Sequence, residues 1–447
     1  MSTAIPQGGQ FTPAPRLQPK PSSRAQFVLA GLLLLVAPLS GSGDSTTTIK
    51  LVRIALSVAM VVGCFAHFNR ARVGKLSRGL LGVALLYTLA AVWSKDPVYG
   101  LLHKGMFLAS VIAGIVLAAS LNSISDLRVG LRTIAPFICF GIGAVVFAAV
   151  ADPNSHYVFG RLAVFGINAN AIGQSAAAML ILSVSHIVLD RSKWRYLSGL
   201  NLVALGWIVI ATGSRGSVLM AAAGCALVCV GAFRGVARNI GGVLVFLAMT
   251  SPALVLVGAE LTSDYGAEGT IGDRNWTTGG GRIQRELLKD TRSEMWAVCL
   301  KQWKASPVVG VGWFAANHRS RSTMNMYLQV LVECGIVGVL FLAIWLISLL
   351  SWCARLAKVV GGWPAEYRVC AWLSLGCVFG LLIHGIAESS ILLGTTVNPL
   401  LLGFSVVMVE RMPVMFNIAA RPRKPGTVPK SRPARPMMRP SNVRPVR

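Results

Sequence analysis

Acidic residues are scarce in this chain: 16 Asp and Glu stand against 42 Lys and Arg, and all charged residues together fill only 13% of the 447 positions. With 54% apolar residues there is too little charge to cover the surface of a water-soluble fold, which excludes a soluble globular protein. The few acids are also dispersed. No Asp-x-Asp occurs, and Asp44, Asp96, Asp264 and Asp273, in loops read below as external, are scattered rather than clustered as ligands for a hard cation. The nine cysteines give no disulfide framework. Cys64, Cys139, Cys225, Cys229, Cys334, Cys370 and Cys377 fall in apolar runs, Cys353 lies beside one, and only Cys299 is clearly outside, so they read as small packing residues. A convincing small-residue cleavage site is missing after the first apolar run, so a cleavable signal is not expected.

What the chain has in excess is long apolar runs. About twelve of them are long enough to cross a hydrocarbon core of roughly 30 Å as helix. They lie near 25–41, 51–68, 79–93, 101–121, 132–151, 171–189, 197–212, 217–233, 240–257, 327–350, 369–388 and 394–410. The runs are continuously apolar instead of alternating, which favours helices over a barrel. The expected fold is an all-α polytopic membrane protein of about twelve transmembrane helices, with one large external loop between the ninth and tenth spans. Along the chain this gives a Pro-rich cytoplasmic arm (1–24), nine spans (25–257), the external loop (258–326), three spans (327–410) and a basic disordered tail (411–447).

Lysine and arginine orient the spans. With both termini inside, the inner loops carry Arg70, Arg72, Lys75 and Arg78, then Arg128 and Arg132, then Arg191, Lys193 and Arg195, then Arg234 and Arg238, and finally Arg355, Lys358 and Arg368. The short outer loops are nearly free of cations, with Lys95, Arg161 and Arg215 as exceptions. The tail from Arg411 to Arg447 has many arginines, repeated prolines and no acid. It lacks interleaved aromatics and a fold, so anionic membrane lipid rather than nucleic acid is its expected partner.

Within the external loop, Arg282–Trp303 has helical spacing: Leu288, Met295, Trp296, Cys299 and Trp303 recur every three or four residues, with Arg292 on the same stripe. Such a helix rests at a membrane interface, where Arg292 either snorkels as an anchor or meets a headgroup. Pro307 and Gly310-Val311-Gly312-Trp313 then break it. Glu333 lies about two turns inside the tenth span and should face a cavity or a cation rather than lipid. His384 and Glu388 share one face of the eleventh helix, as a polar pair between packed helices or as a functional pair. Arginines at the outer boundary suit lipid phosphates, which guanidinium binds bidentately, and several of them suit a pyrophosphate.

Taken in order, the outer segments resemble the O-antigen ligase and O-antigen polymerase family of bacterial envelope glycosyltransferases. The resemblance rests on Trp93-Ser94-Lys95-Asp96-Pro97, on Arg161 with Phe165-Gly166-Ile167-Asn168-Ala169-Asn170, and on Thr212-Gly213-Ser214-Arg215-Gly216. It continues with Arg292 and Trp296 ahead of Pro307 and Gly310-Val311-Gly312, and with Asn325-Met326-Tyr327-Leu328 followed by Gly335 and Gly338; it covers roughly residues 25–410. It implies transfer of glycan, with inversion and without a metal or other cofactor, from an undecaprenyl diphosphate carrier to an acceptor glycan or the lipid A core. The setting implied is the periplasmic face of a bacterial inner membrane. Arg215 and Arg292, with Arg161, would hold the diphosphate, and Asn170, Asn325 and Tyr327 would bind substrate. One departure stands out, because Met324 replaces a histidine that family members usually carry and that is thought to activate the acceptor. His318, His384 with Glu388, or Glu333 are the available substitutes. Two other readings stay open: a secondary transporter, which has a similar number of Gly-interrupted spans, and a homologue with impaired catalysis.

Overall fold

A computed structural model describes residues 21–39, 47–65, 72–151, 157–158, 161–164, 167, 169–232, 293–312, 325–388 and 397–420. Of these residues, 86% are helical. In chain order the elements are α1 (Pro21–Leu39), α2 (Thr47–Phe65), α3 (Lys75–Leu89), α4 (Pro97–Ser120), α5 (Ile124–Ala151), the strands β1 (Tyr157–Val158) and β2 (Arg161–Leu162), α6 (Ala169–Leu189), α7 (Trp194–Ala211), α8 (Arg215–Ala232), α9 (Ser293–Trp303), α10 (Met326–Val360), α11 (Ala365–Ala387) and α12 (Asn398–Ala420). Among the described residues, eight helices are long and apolar enough to cross a membrane: α4 to α8 and α10 to α12. The fold is all-α and polytopic. The apolar run at 240–257, most of the external loop and the tail from 421 onward lie outside the described residues.

Large apolar side chains point outward along the helices, among them Phe140 (70% exposed), Phe147 (74%) and Ile344 (66%), a surface suited to lipid and not to water. Between helices, small residues permit close approach, as expected where lipid removes the hydrophobic drive for helices to associate. A Cβ at Gly114 would lie 2.8 Å from the Phe404 nitrogen, bringing α4 onto α12, and one at Gly376 would lie 2.6 Å from the Gly224 oxygen, bringing α11 onto α8. Helix α11 is enclosed by α6, α8, α10 and α12.

Charge at one end of the bundle is organised around helix termini. Arg72 donates to the carbonyls of Ala119 and Leu121 at the end of α4 (both 3.1 Å), and Arg411 reaches Leu121 at 2.6 Å. Arg368 donates to Gly231 near the end of α8 at 2.7 Å, while Glu410 accepts from the first amides of α3, Leu76 at 2.7 Å and Ser77 at 3.2 Å. Cations on helix C-termini and an acid on an N-terminus complement the helix dipoles. These contacts correct the expected tail: Arg411 is only 8% exposed and α12 continues to Ala420, because the free carbonyls of α4 supply the partners that a disordered segment would lack. Likewise α10 continues to Val360, with Arg355 and Lys358 on its last turns, where a loop from Ser351 was expected.

At the same end Asp190, just beyond α6, receives two bonds from Arg132 (2.6 Å each), one from the Ser192 hydroxyl (2.7 Å), one from the Ser192 amide (3.0 Å) and a contact from His186 (3.0 Å). Burial pushes its carboxyl up, but these bonds outweigh burial and hold it well below the ordinary carboxylate range. A depressed folded pKa contributes stability above the unfolded value of roughly 3.9, and that stability is lost as pH falls toward the folded value. Asp190→Asn is therefore expected to melt lower than wild type at pH 7, with the gap narrowing below about pH 4. A gap that stays constant across that range in detergent melts would contradict this account.

Candidate functional site

At the opposite end, a two-stranded hairpin carries Arg161. Tyr157 pairs with Leu162 and Val158 with Arg161. Alternation along β2 buries Leu162 completely, and with Val164 (0% exposed) and Ile167 (3%) this fixes the segment to the bundle. Arg161, the preceding residue, faces the connection between α7 and α8. Its Nε donates to the Thr212 carbonyl at 2.8 Å, its side chain lies along Gly213, and its Nη2 donates to the Asn170 side chain.

The Thr212-Gly213-Ser214-Arg215-Gly216 motif is a helix stop followed at once by a helix start. Gly213, at φ 57°, takes the left-handed conformation after α7, and its amide bonds back to Ile210 at 2.9 Å. Ser214 then caps α8, accepting from the Ser217 amide at 3.4 Å and the Ser217 hydroxyl at 2.8 Å. Arg215 is the first residue of α8 and is exposed. A cation there opposes the helix dipole by about 0.3–1 kcal/mol, so helix stability does not explain it.

Asn170, in the first turn of α6, accepts from Arg161 and passes a bond on: its amide donates to Glu388 Oε1 at 2.6 Å. Glu388 caps the end of α11, where its backbone amide bonds to the His384 carbonyl at 2.9 Å. The His384 ring is fully enclosed and hydrogen-bonded to the backbone of Gly216, beside Arg215. Asn325 caps α10 through the Leu328 amide (2.9 Å) and donates to the Ile386 carbonyl (3.1 Å), while the Tyr327 hydroxyl donates to Leu382 (3.2 Å). Asn398, at the start of α12, donates to Gln174 of α6 at 3.2 Å. The N-termini of α6, α8, α10 and α12 thus gather around the C-terminus of α11, and the positive ends of their dipoles bias this end toward anions.

Helix α10 is interrupted two turns in. Gly335 has φ 64° and ψ −162°, which frees backbone groups on both sides of it. The segment after α9 takes them up: Val311 and Gly312 donate to Val332 (2.9 Å) and Glu333 (3.2 Å), and Ile336 and Val337 donate to Pro307 (2.9 Å) and Val308 (3.1 Å). Gly310 and Gly312 also have positive φ. A Cβ at Gly312 would lie 2.8 Å from Ser94, so the Trp93-Ser94-Lys95-Asp96-Pro97 segment packs against this clip. Asp96 caps α4 through the Tyr99 amide at 3.1 Å.

Beneath the clip lies a buried ion pair that sequence reading half anticipated. Glu333 does face a cation, and the cation is Lys104 of α4, 2.9 Å away. Gln329 donates to Glu333 (2.9 Å) and to the Tyr87 hydroxyl (3.2 Å), and the Lys104 ammonium sits 3.8 Å from the centre of the Tyr87 ring. Lys104, Tyr87 and Gln329 were not singled out from sequence, although a lone lysine inside an apolar run was a usable signal.

The structure therefore brings Arg161, Asn170, Arg215, Asn325, Tyr327, His384 and Glu388 to one end of the bundle, and sets Glu333 apart beneath the clip. Arg292, His318 and Met324 lie outside the described residues. Helix α9 fills the described part of the expected interfacial helix, with Trp296 and Val298 exposed and Cys299 buried. Among the described residues no group of three or more His, Cys, Asp or Glu is arranged to hold a metal ion. The fold and this end of it define a polytopic helical membrane protein with a polar, arginine-bearing cluster at one end. No family model matches the sequence, and no curated protein matches it.

Proposed function

We propose that this chain is a glycosyltransferase of the bacterial inner membrane, with about twelve spans, both termini cytoplasmic and its active end periplasmic. It would move glycan from undecaprenyl diphosphate to an acceptor sugar, as an O-antigen ligase acting on the lipid A core. One observation carries the reading: three segments singled out in the sequence, those of Arg161 and Asn170, of Arg215 and of His384–Glu388, meet where α6, α8, α10 and α12 begin. Guanidinium groups together with helix N-termini suit a diphosphate, whose charge rises as it leaves the anomeric carbon. Arg215, exposed and set against its own helix dipole, takes the leaving group; Arg161 lines the same position through Gly213. Holding donor and acceptor together supplies much of the remaining rate enhancement.

The test is transfer from a lipid diphosphate-linked glycan by the purified protein. Arg215→Ala is expected to lower kcat by roughly 10²–10³-fold, the loss typical of a donor that stabilises a developing anion. Full activity in that variant would end the leaving-group assignment. A polymerase of the same family uses the same site with a carrier-linked acceptor; a deletion strain whose lipid A core bears a single repeat would favour it over the ligase.

The interrupted α10 is the observation that favours a transporter, since transporters bind substrates at broken helices. Here, however, the carbonyls of Val332 and Glu333 accept from Val311 and Gly312, so the clip already occupies groups that would otherwise coordinate an ion. Solute uptake into vesicles without glycan transfer would reverse this preference.

A further inference from the structure

We infer that Glu388 is the general base that takes the proton from the acceptor hydroxyl, and that Asn170 is the residue that positions it. The inference rests on the glycosyl-transfer reading of this site. Attack by a sugar hydroxyl needs a proton acceptor within hydrogen-bond reach, and three of the candidate acceptors are among the described residues. Glu333 is committed elsewhere: its carboxylate meets Lys104 at 2.9 Å and Gln329 at 2.9 Å, beneath the clip and away from the arginines. His384 is 0% exposed, and its ring is bonded to the backbone of Gly216. Glu388 lies at the rim instead, 8% exposed, at the very end of α11.

Its connections also fit the role. Asn170 donates to Oε1 at 2.6 Å and accepts from Arg161 through its own oxygen, so one amide sets the carboxylate and an arginine of the diphosphate site in fixed relation. Base and Arg161, which lines the diphosphate position, are thereby held on a single link, which fixes the proton acceptor relative to the site of displacement. In the step, the acceptor O–H bond breaks and its proton passes to the Glu388 carboxylate. The acceptor oxygen forms its bond to the anomeric carbon, and the bond from that carbon to the diphosphate oxygen breaks, its electron pair leaving with the diphosphate beside Arg215. Protonated Glu388 then returns its proton to water.

The experiment compares wild type, Glu388→Gln, Glu388→Ala and Asn170→Ala in transfer from a purified lipid diphosphate-linked glycan across a pH series, with melting temperature recorded for each. Glutamine still accepts the Asn170 bond but cannot take a proton. Glu388→Gln is expected to lower kcat by about 10²–10⁴-fold with little change in donor KM, and to abolish the acid limb of the pH profile. Formate is expected to restore part of the activity of Glu388→Ala, which a purely structural carboxylate would not allow. Should the Glu388 variants not fold, Asn170→Ala gives the answer, because the acid limb must shift when the orienting bond is lost. Wild-type kcat with an intact acid limb in Glu388→Gln, or an unmoved limb in Asn170→Ala, would overturn the assignment while leaving the glycosyl-transfer reading in place. If wild type transfers nothing from the diphosphate donor, the reading itself fails and the base assignment falls with it.

Discussion

Gly335→Val is expected to be among the most damaging single changes in the protein, visible as a loss of folded yield and a large drop in melting temperature. Two penalties combine. At φ 64° any side chain pays for a left-handed backbone, about 1–3 kcal/mol. The added Cβ would also lie 2.5 Å from the Gly310 nitrogen and close against the Val308 carbonyl, so the 307–312 segment must move away. That displacement puts all four clip bonds at risk, each on the order of 1 kcal/mol and more where no water can replace it. Gly310→Val should behave alike, since its Cβ would meet the Glu333 oxygen at 2.5 Å. Gly143→Ala in α5 is the control: nothing lies within 4 Å of its Cβ, and alanine favours helix by about 0.5–1 kcal/mol. If Gly335→Val melted with the control, the clip would not be what holds the interrupted helix.

How much of this was legible beforehand depends on where each residue's partner lies. Apolar runs report the boundary between lipid and water directly, so most of the helices could be read from composition alone. Their ends could not, because an end is set by what receives the last carbonyls. Arg411 looks in sequence like the first residue of a basic tail; its partner, Leu121, sits 290 positions away in the chain. The glycines at 310 and 312 were legible as breakers of helix; Gly335 was not, because the apolar run around it reads as one continuous span, and the fit of the two breaks into one another depends on both. Arg161 and Arg215 were noticed because they violate a charge rule. Asn170 was noticed only through the resemblance, because an asparagine near a helix start is unremarkable until its two neighbours are known. Lys104 does not stand out, because the run around it is apolar enough to read as a span regardless.

Lys104→Met should destabilise the protein by about 3–5 kcal/mol, the usual cost of leaving one member of a buried pair uncompensated. The side chains of Lys104 and Glu333 are 1% and 4% exposed, so water cannot stand in for the missing ammonium. The Tyr87 ring, 3.8 Å from that ammonium, loses its cation as well. Removing both charges is a different matter. In Lys104→Met with Glu333→Gln, the glutamine still accepts from Gln329 and no ion remains buried, so most of the lost stability is expected to return. Melting temperatures of the four proteins close a double-mutant cycle, and additive single effects would show that the pair is not coupled. The proposed glycan transfer, assayed in the double variant, then separates two jobs. Glu333 lies two turns below Asn325 on α10, and Asn325 bonds to Ile386 beside Glu388. If the ion pair only holds α4 against α10, transfer should recover together with stability. Recovery of stability without transfer would instead place Glu333 in the chemistry and count against Glu388 as the base.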